Sequence, residues 1–238
     1  MPTYLYCVRS DQPEVPIGLV GIDDAPVRSI DAASLVAWVS DAESTSIDVT
    51  VDRVKAHDVV CSAALSVGET PLPIRFGQSF ANDDRAREAI GARRVPLESR
   101  LARVTGCVEL RVVIRHVGDP PAAAQCAADV VNETTIANEG PGTAFLRRLA
   151  RASRADIARD VGCEEVRHAV REAARTLVVD QHPCEAARGI SYFPVLVRRG
   201  DVGELRTVLS DQLSSQAIAA IDLSILGPFA PYSFAGDD

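Results

Sequence analysis

The chain has 238 residues, with 25 lysines plus arginines against 33 aspartates plus glutamates and a formal net charge of −8. Hydrophobic residues make up 47% and charged residues 24%, ordinary globular usage that excludes whole-chain disorder. An anionic surface repels phosphate backbones, and an aromatic content of 5% leaves few stacking platforms, so nucleic acid is excluded as the partner class.

In chain order, Thr3 to Arg9 is β-branched and aromatic, ends at Ser10-Asp11-Gln12-Pro13, and reads as a first strand. Pro16 to Ile22 reads as a second, Val27 to Ile30 as a third after the Asp23-Asp24 turn, and Leu35 to Val39 as a fourth. Their tight spacing predicts an antiparallel meander. From Val51 the period changes: Val54, His57, Cys61, Ala64 and Leu65 recur at helical spacing, with Gly68 as the C-cap. The prolines of Pro71-Leu72-Pro73-Ile74-Arg75-Phe76-Gly77 cannot donate to a ladder, which predicts an edge strand or a rigid extended segment. Two helices follow, Asp83 to Ile90 and Leu97 to Val104, split near Pro96.

Cys107 to His116 is the clearest strand, with Val108, Leu110, Val112 and Ile114 on one face. Residues 118–139 lose periodicity and read as a long loop. A long helical region starts after Gly140-Pro141-Gly142-Thr143 and stops at Pro183. Gly189 to Arg198 reads as a strand, Val202 to Leu213 as a helix and Ile221 to Ile225 as a final strand. With a short strand near Glu185 to Arg188, the order after residue 106 is β-α-β-β-α-β, the ferredoxin-like order. Pro194 conflicts with it, because that strand is central and proline has no N–H for the ladder. The predicted fold class is α+β in two domains. Residues 1–105 form an N-terminal α+β domain, 106–226 a ferredoxin-like C-terminal domain and 227–238 an extended tail.

Chemistry-bearing patterns are sparse. Cys7, Cys61, Cys107, Cys126, Cys163 and Cys184 contain no C-x-x-C, and the start lacks a charged region followed by an apolar one. The expectation is therefore reduced thiols in a cytoplasmic chain. No apolar run reaches about eighteen residues, so no membrane span is expected. Cys163 and His168 are five apart and fall on different helix faces, while Pro183 keeps His182 and Cys184 pointing apart; no metal site is predicted. His57 lies in an apolar stripe and reads as a half-buried histidine with a backbone or carboxylate partner. Gly140-Pro141-Gly142 with Arg147 and Arg148 lacks the third glycine and the acidic ribose partner of a dinucleotide site. No nucleophile elbow or phosphate-binding loop appears, so no catalytic residue and no cofactor is assigned.

Five segments, in order, resemble the gas vesicle synthesis proteins GvpF and GvpL. They are Tyr4-Leu5-Tyr6 with a later Gly21-Ile22; Val54-Lys55-Ala56-His57-Asp58-Val59-Val60 followed by Leu72 to Gly77; Gly106-Cys107-Val108-Glu109, like the family's G-x-x-E strand; Gly142-Thr143-Ala144-Phe145-Leu146; and the tail Gly227-Pro228-Phe229-Ala230-Pro231-Tyr232-Ser233-Phe234. The second and fifth are the specific ones. The family tail usually reads G-P-W-P-P-Y-S-F, so Phe229 and Ala230 stand for tryptophan and proline, and Phe145 stands for tyrosine. The resemblance implies a modified ferredoxin-like C-terminal domain, no catalysis, and assembly of gas vesicles in the cytoplasm. It implies contacts with the shell protein GvpA and other gas vesicle accessory proteins, and no nucleic-acid, membrane or small-molecule partner. Pro228, Phe229, Pro231, Tyr232 and Phe234, on a proline-stiffened segment, are the expected partner-binding residues. The competing arrangement packs these aromatics onto their own domain. The runner-up function is a small-ligand-binding regulatory protein.

Overall fold

The computed structural model describes residues 1–116, 168, 171–172, 174–182, 185–187, 190–215 and 221–236. β1, Thr3–Arg9, is buried at every residue and runs through the middle of the first sheet. β2 (Arg28–Ala32) and β3 (Leu35–Asp41) form a hairpin, and the sheet order is β2-β3-β1-β4, where β4 is Leu72–Pro73. The two-residue β5, Ser79–Phe80, pairs with the start of β1.

The expected meander is therefore corrected: β1 lies between β3 and β4, and Pro16 to Ile22 is no strand. Gly18 has φ +78°, Leu19 donates to the Pro16 carbonyl across a turn, and one isolated bridge, Val20 to Pro26, is all the pairing there. The β2–β3 turn uses Ala33 (φ +49°) and Ser34 (φ +74°), the two positive φ values whose twist fits a tight hairpin, without any glycine.

One irregularity in β1 decides what faces what. Leu5 opposes Val39 and Cys7 opposes Trp38, so β1 holds one extra residue there, a bulge at Tyr6. Tyr4, Tyr6 and Cys7 pack with Trp38 and with Val60, Cys61 and Ala64 of helix α1 (Val51–Ser66). Leu5 and Val8 pack in a separate cluster with Ala86 and Ile90 of α2 (Asp83–Ala92) and Leu97 and Leu101 of α3 (Arg94–Val104).

Helix α1 starts at Thr50, whose side chain accepts the Arg53 N–H at 3.3 Å. Val54, expected on its inner stripe, is 42% exposed, and Val60 is the buried valine. The break between α2 and α3 falls at Arg93, because Pro96 sits in the first turn of α3, where a missing N–H costs nothing.

The second sheet has the order β10-β6-β9-β7 with β8 paired to β9. Its strands are β6 (Cys107–His116), β7 (Val178–Gln181), β8 (Glu185–Ala187), β9 (Ile190–Arg198) and β10 (Ile221–Phe229). Strand β7 falls where the sequence reads as the end of a helix, and β10 continues through Gly227 and Pro228. Pro194 lies inside β9, and its carbonyl accepts the His182 N–H at 3.1 Å. Helix α4 spans Val202–Ser215. The expected loop 118–139 and most of the long helical region lie outside the described residues.

The chain divides into two compact units. The first holds Met1–Leu110, Leu196–Arg199 and Gly227–Asp238; the second holds Arg111–Val195 and Gly200–Leu226.

Candidate functional site

In the first unit four of the five motifs that carry the sequence resemblance meet around the C-terminal tail, and the fifth, Gly142 to Leu146, lies outside the described residues. Phe234 is 1% exposed and belongs to the cluster of Leu5, Leu97 and Leu101, while Ala230 packs with Tyr4, Tyr6 and Cys61. Tyr232 has its ring 6.2 Å from His57, which itself lies 5.8 Å from the Phe76 ring. Glu109, fully buried, accepts the Ser233 N–H at 2.8 Å and its hydroxyl at 3.2 Å. Arg100 donates to the Ala235 carbonyl at 3.3 Å. Gly227 fits its place because a Cβ there would stand 2.9 Å from the Glu109 carbonyl oxygen, and its φ of +114° suits glycine.

Beneath the tail run two hydrogen-bond chains. Gly77 N–H donates to the Tyr4 hydroxyl at 3.1 Å, and that hydroxyl is hydrogen-bonded to His57 Nδ1 at 2.9 Å. The opposite ring nitrogen, Nε2, faces Cys61 Sγ at 3.6 Å, and the thiol donates to the Tyr6 carbonyl at 3.5 Å. In the second chain Ile22 N–H donates to the Tyr6 hydroxyl at 2.8 Å, the Tyr6 hydroxyl bonds Ser40 Oγ at 2.8 Å, and Ser40 donates to the Asp41 carbonyl at 3.2 Å. Every polar group in these chains has a partner, as buried groups need.

Beside them Arg9, with no exposed surface, grips Asp11 through two hydrogen bonds of 2.9 and 3.0 Å. It also donates to the carbonyls of Ala64 and Glu69, and lies 5.4 Å from the Trp38 ring centre. The fully buried charge is thus compensated on all sides.

Burial, helped by the neighbouring Cys7 thiol, pushes the Cys61 thiol well above its usual range, so it holds no thiolate nucleophile. Burial likewise raises the Tyr4 and Tyr6 hydroxyls, against the hydrogen bonds they accept. The Tyr232 hydroxyl is buried beside Cys61 and Asp58, makes no hydrogen bond of proper geometry, and is also raised by burial.

His57 is fully buried rather than half-buried, and its partners are a tyrosine and a cysteine rather than a backbone group or a carboxylate. Among the described residues no cluster of His, Cys, Asp and Glu could hold a metal. His168 is helical and exposed; Cys163, Cys184 and Gly140 to Gly142 lie outside the described residues.

Of the five tail residues expected to bind a partner, Pro228 is exposed, Phe229 and Tyr232 are half-buried, and Pro231 and Phe234 are buried. Sequence reasoning assigned no role to Ser233, Arg9 or Arg100. The one signal within reach was Glu109, the single carboxylate of its strand, which calls for a dedicated donor when buried.

A family model described as gas vesicle synthesis protein GvpL/GvpF matches residues 2–236. Gas vesicle protein L2 of Halobacterium salinarum is 30% identical, across 98% of this chain and 91% of its own. Gas vesicle protein F of a Streptomyces species is also 30% identical, across 98% and 99%. The crystal structure of the gas vesicle protein GvpF from Anabaena sp. PCC7120 superposes with a TM-score of 0.76 over 100% of this chain and 97% of that one, at 17% identity, which establishes a shared fold.

Proposed function

Because the chain belongs to the GvpL/GvpF family of gas vesicle synthesis proteins, we propose that it is an assembly protein that binds the shell protein GvpA and other gas vesicle accessory proteins. The observation that carries this reading is the family match from residue 2 to residue 236. The family is one of gas vesicle proteins and not a known enzyme family, and the protein works by contact, without catalysis, in the cytoplasm at the growing vesicle.

A shell subunit destined for a gas-filled wall exposes apolar surface that aggregates unless covered. The first unit offers matching apolar surface. Val51, Val54 and Val59 of α1 are 68%, 42% and 55% exposed, and Ile17 and Val49 are 106% and 79% exposed. In the tail, Pro228, Phe229 and the outer edge of Tyr232 face the partner, whereas Pro231 and Phe234 hold the segment in place. The second unit is a modified ferredoxin-like domain; the strand order β10-β6-β9-β7 supports this.

Co-purification with GvpA tests the binding, comparing the full chain with one truncated at Gly227 and one carrying Val51→Ser, Val54→Ser and Val59→Ser. The expected result is capture by the full chain and loss in the triple variant. Absence of capture by the full chain, together with normal flotation of cells lacking the protein, overturns the reading.

A further inference from the structure

The second unit contains a cavity of about 390 Å³, within the ~300–1,000 Å³ typical of small-molecule sites. Its floor comes from three elements: Val112 of β6, Phe193 and Val195 of β9, and Leu205 and Leu209 of α4, each at most 2% exposed. These side chains are fixed by their own packing, so the apolar floor is preformed.

Charged residues line it as well. Arg171 and Arg175 line the cavity one helical turn apart. Arg175 has a nearby counter-charge, Glu172 at 4.0 Å, in a pair whose side chains are 78% and 59% exposed. Arg171 differs: its Nε is buried and meets no acceptor. A buried guanidinium N–H without an acceptor carries a desolvation cost that an anion placed against it would remove, and a planar fork of donors suits a carboxylate. The remaining carboxylate on the wall, Asp180, already accepts the Gln181 N–H at 2.8 Å.

We propose that this cavity binds a small monocarboxylate with a short aliphatic chain, the chain lying on Phe193, Val195 and Leu209 and the carboxylate on Arg171. Both halves of the ligand follow from the wall. A purely apolar molecule leaves the Arg171 N–H unmet, and a purely polar anion leaves the floor wet. The site is independent of the assembly role, since every described residue that lines it belongs to the second unit and no described tail residue takes part.

Isothermal titration of the full chain with hexanoate tests the site, with hexylamine and acetate as matched probes. Saturable binding of hexanoate with a Kd below about 1 mM is expected. Hexylamine, which has the chain but the wrong charge, and acetate, which has the charge but no chain, should bind at least about tenfold more weakly. Arg171→Met should weaken hexanoate by a similar factor, while Arg87→Met in the first unit leaves it unchanged. Equal binding of hexanoate and hexylamine, no saturation by hexanoate, or full affinity in Arg171→Met overturns the proposal. The comparison of the three probes needs no variant to fold.

Discussion

The two units treat a buried guanidinium nitrogen in opposite ways. Arg9 in the first unit has an acceptor for each of its three guanidinium nitrogens, from Asp11 and from the carbonyls of Ala64 and Glu69. Arg171 in the second leaves its buried Nε without an acceptor at the wall of a cavity. The first arrangement fixes a shape. The second keeps unspent binding capacity, and that difference separates a scaffold from a receptive site.

The sharpest way to break this comparison is to remove each charge. Arg9→Met strands the Asp11 carboxylate and two carbonyls, and should cost about 3 kcal/mol after allowing for the partial exposure of Asp11. Arg171→Met removes an unmet donor and should be neutral or stabilising by up to ~1 kcal/mol. Urea denaturation of both variants measures the pair of values, and a similar cost for each would erase the contrast.

The tail seat gives a second test. Tyr4→Phe deletes a hydroxyl bonded to both Gly77 and His57 and should cost about 1–2 kcal/mol. Tyr232→Phe deletes a hydroxyl with no such partner and should fall within ~0.5 kcal/mol of the parent or raise stability. Thermal melts of the two variants should therefore move apart, and a larger loss in Tyr232→Phe would show that its hydroxyl is engaged.

Acid should reach the first unit through its ion pairs. Hydrogen bonds from Arg28, above all, hold the Asp83 carboxyl below its usual range. Burial pushes the Asp11 carboxyl up, but Arg9 and the Glu69 N–H together outweigh it and bring it below the usual range too. A lowered folded value means the unfolded chain takes up protons first. The stabilisation is complete above the ordinary carboxylate value and is lost as pH falls through the lowered one, below about pH 4. Arg28→Gln should flatten that loss in a pH series of melts. The pair Arg115–Asp222 in the second unit, at 3.8 Å and half exposed, should add nothing measurable when broken.

The smallest effect is expected at the β2–β3 turn. Ala33→Asn with Ser34→Gly supplies residues that adopt positive φ readily and should stabilise the first unit by about 0.5–1 kcal/mol. No gain in the denaturation midpoint would mean that the neighbouring strands, and not the turn, set the hairpin's stability.

Much of the fold was legible because its cause is local. Thr3–Arg9 and Cys107–His116 were readable residue for residue, since β-branched and aromatic runs between turn signals need no distant partner to declare themselves. The proline-stiffened Leu72–Pro73 strand and the apolar alternation of β6 were legible for the same reason. The segment Pro16 to Ile22 misled because its apolar residues resemble a strand while its glycines favour turns. Strand β7 was hidden because Val178 and Val179 also continue a helical pattern, and short apolar runs leave period ambiguous.

By itself, the sequence determined the family, through ordered motifs spread along the chain, and the elements whose periodicity is written in neighbouring residues. Only the tertiary structure decided which of those residues meet. The bulge at Tyr6 turns Tyr4, Tyr6 and Cys7 toward α1, Glu109 meets Ser233 across 124 positions of chain, and Phe234 goes inward while Pro228 stays out. Contacts of that kind depend on how sheets and helices pack around one core, a non-local choice that no spacing of residue types encodes.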